Sequence, residues 1–256
     1  MIIWRCCRVR SKAMRVLSLH RPSRQLLLHL PIRLPSDRIA MPAYVHHTFE
    51  GGGIAIWHIT ESSDALYALL GTSRYDASLA AITHEARRAE WLAVRVLVAT
   101  MLGEDKEIAY HSSGRPYLAD GSYAISISHT KGYAAIAYHR TCSIGLDVER
   151  IASRVERIAH RFTHPDETLY MDACSTEERL LRLLVNWSAK ETLFKLADCS
   201  AAADFREAFC IAPYELASQG KLDVHSSNLV GLPSPLLVEY SLNADFVCTW
   251  ACLRIS

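Results

Sequence analysis

Apolar and polar side chains alternate over residues 54–59, the period of a strand with one buried face. The Gly51-Gly52-Gly53 run before it is a turn rather than a phosphate loop, because neither GxGxxG nor GK[ST] follows. The spacing then changes to that of helices, over residues 62–70 and 83–102, the second closed by Gly103. Alternation returns at residues 108–110, 123–128, 133–138 and 143–149. A helix is predicted over residues 152–162 and a longer one over 176–196, where Ser175-x-x-Glu178 forms a capping box. Two more strands fit residues 236–241 and 246–254. The order of strand, helices and strands thus occurs twice. It predicts an α+β chain of two similar halves, residues 41–141 and 142–256, meeting near Thr141 without sequence identity between them.

Composition narrows the class. Half of the residues are hydrophobic and 21% are charged, which suits a globular protein. No uninterrupted apolar run approaches the ~20 residues of a membrane helix. The net charge of +1 conceals an asymmetry. Residues 1–40 carry eight Arg and Lys12 against Asp37 alone, so the remaining 216 residues have a net charge of −7. An acidic body argues against binding to duplex nucleic acid. The basic leader reads either as an organellar transit segment or as an upstream start with Met41 as the working first residue, and the second is preferred. None of the eight cysteines forms CxxC or zinc-finger spacing, which predicts reduced thiols and a cytoplasmic protein.

Chemistry concentrates in two segments. In residues 143–149, Ile144, Leu146 and Val148 alternate with Gly145, Asp147 and Glu149. The two carboxylates therefore share a strand face, roughly 6–7 Å apart, with Gly145 leaving room beside them. Carboxylates this close repel unless a cation lies between them, and oxygen ligands alone suit Mg²⁺. By itself the pattern also fits a solvated strand face. In the long helix, Leu180, Leu184, Trp187, Glu191 and Phe194 follow one face, with Lys195 four residues beyond Glu191. This fits an ordinary Glu–Lys helix pair, or a third ligand beside a catalytic cation. His129 ends the strand pattern of residues 123–128 and begins a turn.

Four pieces taken together resemble the 4′-phosphopantetheinyl transferases, of the longer two-half type. They are Gly114-Arg115-Pro116-Tyr117-Leu118, Ser126-Ile127-Ser128-His129-Thr130, Ile144-Gly145-Leu146-Asp147-Val148-Glu149, and Trp187-Ser188-Ala189-Lys190-Glu191-Thr192-Leu193-Phe194-Lys195. The resemblance covers about residues 45–215. It implies two subdomains related by a pseudo-twofold, each an antiparallel sheet packed with a long helix, with the active site between them. It also implies transfer of the phosphopantetheine arm of coenzyme A to a serine of an apo carrier protein, releasing adenosine 3′,5′-bisphosphate.

On this resemblance Asp147, Glu149 and Glu191 hold Mg²⁺, and Glu191 is also the candidate base. Lys195 stabilises charge on the pyrophosphate. Ser128 and His129 contact coenzyme A phosphates. Arg115 stands where Lys is usual. Arg95 is matched to an arginine that grips the nucleotide phosphates, with Arg87 and Arg88 as further candidates that also read as solvated helix charges. Arg150, Arg154, Arg157 and Arg161 fall on one face of the helix predicted over residues 152–162, a docking stripe for an acidic carrier or a plain solvated face. A monomer is the simplest expectation. The rival readings are a non-catalytic module that binds coenzyme A or a carrier, and another Mg²⁺-dependent phosphate enzyme.

Overall fold

A computed structural model describes residues 44–197, 204–227 and 232–254; the basic leader, residues 1–40, lies outside them. In chain order the elements are β1 (Tyr44–Phe49), β2 (Gly52–His58), α1 (Ser63–Leu70), α2 (Asp76–Ala80), α3 (Glu85–Leu102), β3 (Ile108–Tyr110), β4 (Pro116–Leu118), β5 (Ala124–Thr130), β6 (Tyr133–His139) and β7 (Cys142–Arg150). There follow α4 (Arg154–Ile158), α5 (Pro165–Met171), α6 (Thr176–Ala197), α7 (Phe205–Ala208), β8 (Phe209–Ile211), β9 (Gln219–Ser226), β10 (Leu236–Leu242) and β11 (Phe246–Arg254). The fold is α+β, with one antiparallel sheet in the order β1-β2-β6-β5 and another in the order β7-β11-β10-β9-β8.

Strand alternation divides the apolar side chains among three cores. Ala55, Trp57, Ala134 and Ile136 face α1 and α3. Their neighbours in sequence, Ile54, Ile56, Ala135 and Ala137, face the other way and meet Ile144, Leu146, Val148 and Phe246 of the second sheet. The far side of that sheet packs on α6, through Leu184, Ala189, Leu193 and Val247 among others. The sheets therefore lie back to back with a long helix on each outer face.

Hydroxyl groups join the sheets at one edge. Ser126, Ser128 and Thr130 of β5 accept hydrogen bonds from the backbone N–H groups of Leu146, Val148 and Arg150 at 3.0, 3.2 and 3.4 Å. Three side chains on one strand face thus satisfy alternate amides of β7 that would otherwise be orphaned at a buried edge.

Two expectations need correction. Gly145 does not leave room for the carboxylates: a Cβ there would overlap the Thr192 carbonyl, because α6 lies directly on β7. The helix predicted over residues 152–162 is broken into α4 and a 3₁₀ turn, Ala159–Arg161. Lys190 of α6 donates to the Phe162 carbonyl at 2.6 Å, and the buried Phe162 ring packs against Trp187. These anchors outweigh local helix propensity, and they leave the four arginines distributed over a strand end, a short helix and a turn.

Candidate active site

Asp147 and Glu149 point from β7 toward α6, while Leu146 and Val148 enter the core between the sheets. Asp147 is only 5% exposed. Its Oδ1 accepts from the Ser128 hydroxyl at 2.9 Å and from Lys195 Nζ at 2.8 Å. Lys195 Nζ also donates to Ser128 Oγ at 3.1 Å and to the Leu146 carbonyl at 3.0 Å. One ammonium thus ties the end of α6 to β7 and to β5 of the other sheet. Asp147 Oδ2 is buried with no hydrogen-bond partner. An orphaned carboxylate oxygen is costly unless a cation meets it.

Glu149 accepts from the indole N–H of Trp187 at 2.8 Å. Burial, then the neighbouring Asp147 charge, pushes its carboxyl above the usual range. Glu191 is displaced further, to about 7, by burial first and then by Asp147, with Glu149 adding and Lys195 opposing. Three carboxylates therefore load one another with negative charge at the β7–α6 junction. A divalent cation would relieve that repulsion, and oxygen donors are the set that Mg²⁺ prefers. The residues present fit such an ion electrostatically, though without forming a closed cage. Among the described residues, the three potential ligand atoms that all lie within 4.8 Å of one another belong elsewhere, to His164, Asp166 and Cys210.

His129 follows Ser128 at the end of the seam. Arg87 lies 2.8 Å from its Nε2, and Glu90 lies 3.5 Å from its Nδ1. Burial lowers the imidazole pKa, Glu90 opposes this, and Arg87 and Lys195 reinforce it. A neutral ring with its proton on Nδ1 accounts for both contacts. Arg87 thus joins this cluster from an exposed helix face, its side chain 57% accessible. Its i,i+3 spacing to Glu90 was visible in the sequence, but its proximity to His129, 42 residues away, was not. Trp187 is the other contributor whose contact no local pattern announces, although it lies one turn before Glu191.

Not every candidate converges. Arg95 is buried beside the rings of Trp91 and Tyr75, and donates to the Trp91 carbonyl at 2.9 Å. Its neighbours, Tyr110 and Asp105 included, all lie away from the β7–α6 junction, and none is one of that junction's carboxylates. Arg115 sits in the turn between β3 and β4, half-buried, with no partner for its guanidinium among the described residues. Arg150, Arg154, Arg157 and Arg161 are all exposed, and none forms an ion pair among the described residues, Glu156 included. Arg154 is close enough to Glu149 to favour its charged form.

Comparison with known proteins bears directly on this arrangement. Residues 143–244, from the start of the carboxylate strand into the last hairpin, match the profile of the 4′-phosphopantetheinyl transferase superfamily. The chain is also 30% identical over 129 residues to 4′-phosphopantetheinyl transferase AcpT of Salmonella typhimurium, a match spanning 49% of this chain and 67% of that protein. AcpT of Salmonella typhi matches with the same identity and coverage. The chain belongs to the 4′-phosphopantetheinyl transferase superfamily. Membership carries the family's reaction, transfer of a phosphopantetheinyl group to carrier proteins. For a phosphopantetheinyl transferase, the grouping of an ammonium, a buried serine hydroxyl and three carboxylates has a ready use: a pyrophosphate needs both cationic and hydrogen-bonding partners while charge builds on its leaving oxygen. Among the described residues, no helix is long and apolar enough to cross a membrane.

Proposed function

We propose that this chain is a transferase of the holo-acyl-carrier-protein synthase type, moving the 4′-phosphopantetheine arm of coenzyme A onto a carrier serine. The observation that carries the reading is Lys195 Nζ held between Asp147 and Ser128, with Glu191 beside it, because this unites residues of both halves at one point. The active site then lies between residues 41–141 and 142–256. Asp147, Glu149 and Glu191 would hold Mg²⁺, which when bound would neutralise charge on the pyrophosphate oxygens. Lys195 and Ser128 donate to those oxygens. His129, backed by Arg87, meets the phosphates from the other side, and Arg115, which lies apart from this cluster in the β3–β4 turn, contacts a more distant part of coenzyme A. The carrier serine oxygen bonds to the β-phosphorus, the bond from that phosphorus to the adenosine 3′,5′-bisphosphate oxygen breaks, and the serine proton passes to Glu191. Burial and the Asp147 charge raise the basicity of Glu191, the direction a base needs.

Arg150, Arg154, Arg157 and Arg161 form the docking surface for an acidic carrier. The protein acts as a monomer in the cytoplasm; the free thiols Cys142, Cys174, Cys210, Cys248 and Cys252 support a reducing compartment. The test is intact-mass analysis of an apo carrier incubated with the protein, coenzyme A and Mg²⁺. The expected result is a gain of one phosphopantetheine arm, lost with Glu191→Gln. Tight coenzyme A binding with no mass gain on any of several carriers would instead favour a non-catalytic module. Phosphate release without a carrier would favour a different phosphate enzyme.

A further inference from the structure

A second group of ligand-type side chains lies away from the carboxylate junction. His164 is the N-cap of α5, Asp166 follows in its first turn, and Cys210 is the middle residue of β8. One donor atom from each lies within 4.8 Å of the other two. We propose that these three residues form a site for a borderline-soft divalent ion of the zinc class, distinct from the Mg²⁺ site. Thiolate, imidazole and carboxylate are the donors that zinc favours, with water completing a four-coordinate shell. Thiolate and carboxylate together balance a 2+ charge. His164 Nδ1 and Asp166 Oδ2 are 3.6 Å apart. Two ligands about 2.0–2.1 Å from a tetrahedral ion are separated by roughly 3.4 Å. Nδ1 accepts the Asp166 N–H at 3.2 Å and so carries no proton; binding would exchange that capping bond for the bond to the ion.

The backbone around the three donors is already fixed. Glu167, the residue after Asp166, accepts from the His164 N–H at 3.2 Å and from the N–H of Ile211, the residue after Cys210, at 2.8 Å. Both ligand-bearing segments therefore hang from one buried carboxylate, which reduces the ordering cost of binding. Burial and the nearby Glu167 and Asp166 hold the Cys210 thiol above its usual pKa, and Lys190 opposes them. Binding therefore replaces the thiol proton: the S–H bond breaks, a sulfur–metal bond forms, and H⁺ leaves to solvent. The ion would clip α5 to β8.

The test is a titration of the full chain with Co²⁺, in excess Mg²⁺ to occupy the carboxylates. One equivalent should produce a thiolate-to-metal charge-transfer band. The band should vanish in Cys210→Ser and persist in Cys252→Ser, which removes an exposed thiol. His164→Asn keeps a good N-cap while removing the imidazole, and should weaken binding at least tenfold. Zn²⁺ should displace Co²⁺ and raise the melting temperature of the wild type and of Cys252→Ser, but not of Cys210→Ser. Absence of the band in the wild type would overturn the proposal, as would its survival in Cys210→Ser.

Discussion

Lys190 is the residue of the Trp-x-x-Lys-Glu element that faces away from the carboxylate junction, and its removal tests how that element is held. Its ammonium lies 2.9 Å from Glu167 Oε1 and 2.6 Å from the Phe162 carbonyl, with both charged side chains fully buried. Lys190→Met keeps the apolar stem and deletes the charge. It leaves a carboxylate with no counter-ion and a carbonyl with no donor. Breaking one side of a buried pair costs about 3–5 kcal/mol. Glu167 keeps the N–H groups of His164 and Ile211, which favours the lower end, about 3 kcal/mol. That is a large share of the ~5–15 kcal/mol that stabilises a typical domain, and corresponds to a fall of about 6–12 °C in Tm. Adding Glu167→Gln removes the stranded charge at the cost of one acceptor, since the two amides bind different oxygens of Glu167 and a carboxamide has only one. The double variant should therefore recover about 1–2 kcal/mol relative to Lys190→Met. Urea denaturation followed by circular dichroism measures each value. A Lys190→Met loss below about 1 kcal/mol, or strictly additive losses in the double variant, would refute the reasoning.

Four further outcomes are expected. Trp187→Phe removes the indole donor to Glu149 and should weaken Mg²⁺ binding about 10-fold or more by calorimetry; unchanged affinity would show that Glu149 needs no orienting bond. Gly145→Ala forces α6 away from β7, so thermal melts should show a loss of about 1–3 kcal/mol together with lost carrier modification; a wild-type melt would contradict the close approach. Arg154→Glu with Arg157→Glu should raise KM for the carrier at least several-fold and leave coenzyme A binding unchanged; wild-type carrier kinetics would remove the docking surface. In chelator-treated protein, the Glu191 carboxyl sits at about 7 when folded, against an ordinary 4.5. The folded state thus binds the extra proton between these values, and stability should fall as pH rises from 4.5 through 7, by about 3 kcal/mol in total. Glu191→Gln should flatten that fall, and a parallel pH profile for wild type and variant would rule the cause out.

The sequence by itself determined the periodicities and much that follows from them. Alternation placed β2, β5, β6, β7 and β11 within a few residues, because each has one face in a core and its neighbours on another. The bounds of α6 followed from Ser175, whose hydroxyl accepts the Glu178 N–H at 3.2 Å. The reciprocal half of that capping box is replaced by an ion pair between Glu178 and Arg182 at 2.8 Å, a choice that depends on where Arg182 is buried. Short or polar-patterned elements gave weaker signals: β1, β8, β9 and α5 had no pattern strong enough to stand out. The carboxylates of β7 and the Glu191–Lys195 pair were legible because local geometry alone puts each pair on one face.

Only the tertiary structure decided what those faces meet. It placed the Ser128 hydroxyl and the Lys195 ammonium on the same oxygen of Asp147, which joins two sheets and one helix. It brought Arg87 to His129 and removed Arg95 to a core of aromatic rings. It also broke the helix after β7, since a fully buried lysine required the Phe162 carbonyl. The physical reason is common to all of these. Periodicity reports which side of an element is buried, an average over local environment. Hydrogen bonds and ion pairs depend on single atoms from distant segments approaching within about 3 Å, and only the closed chain sets that distance.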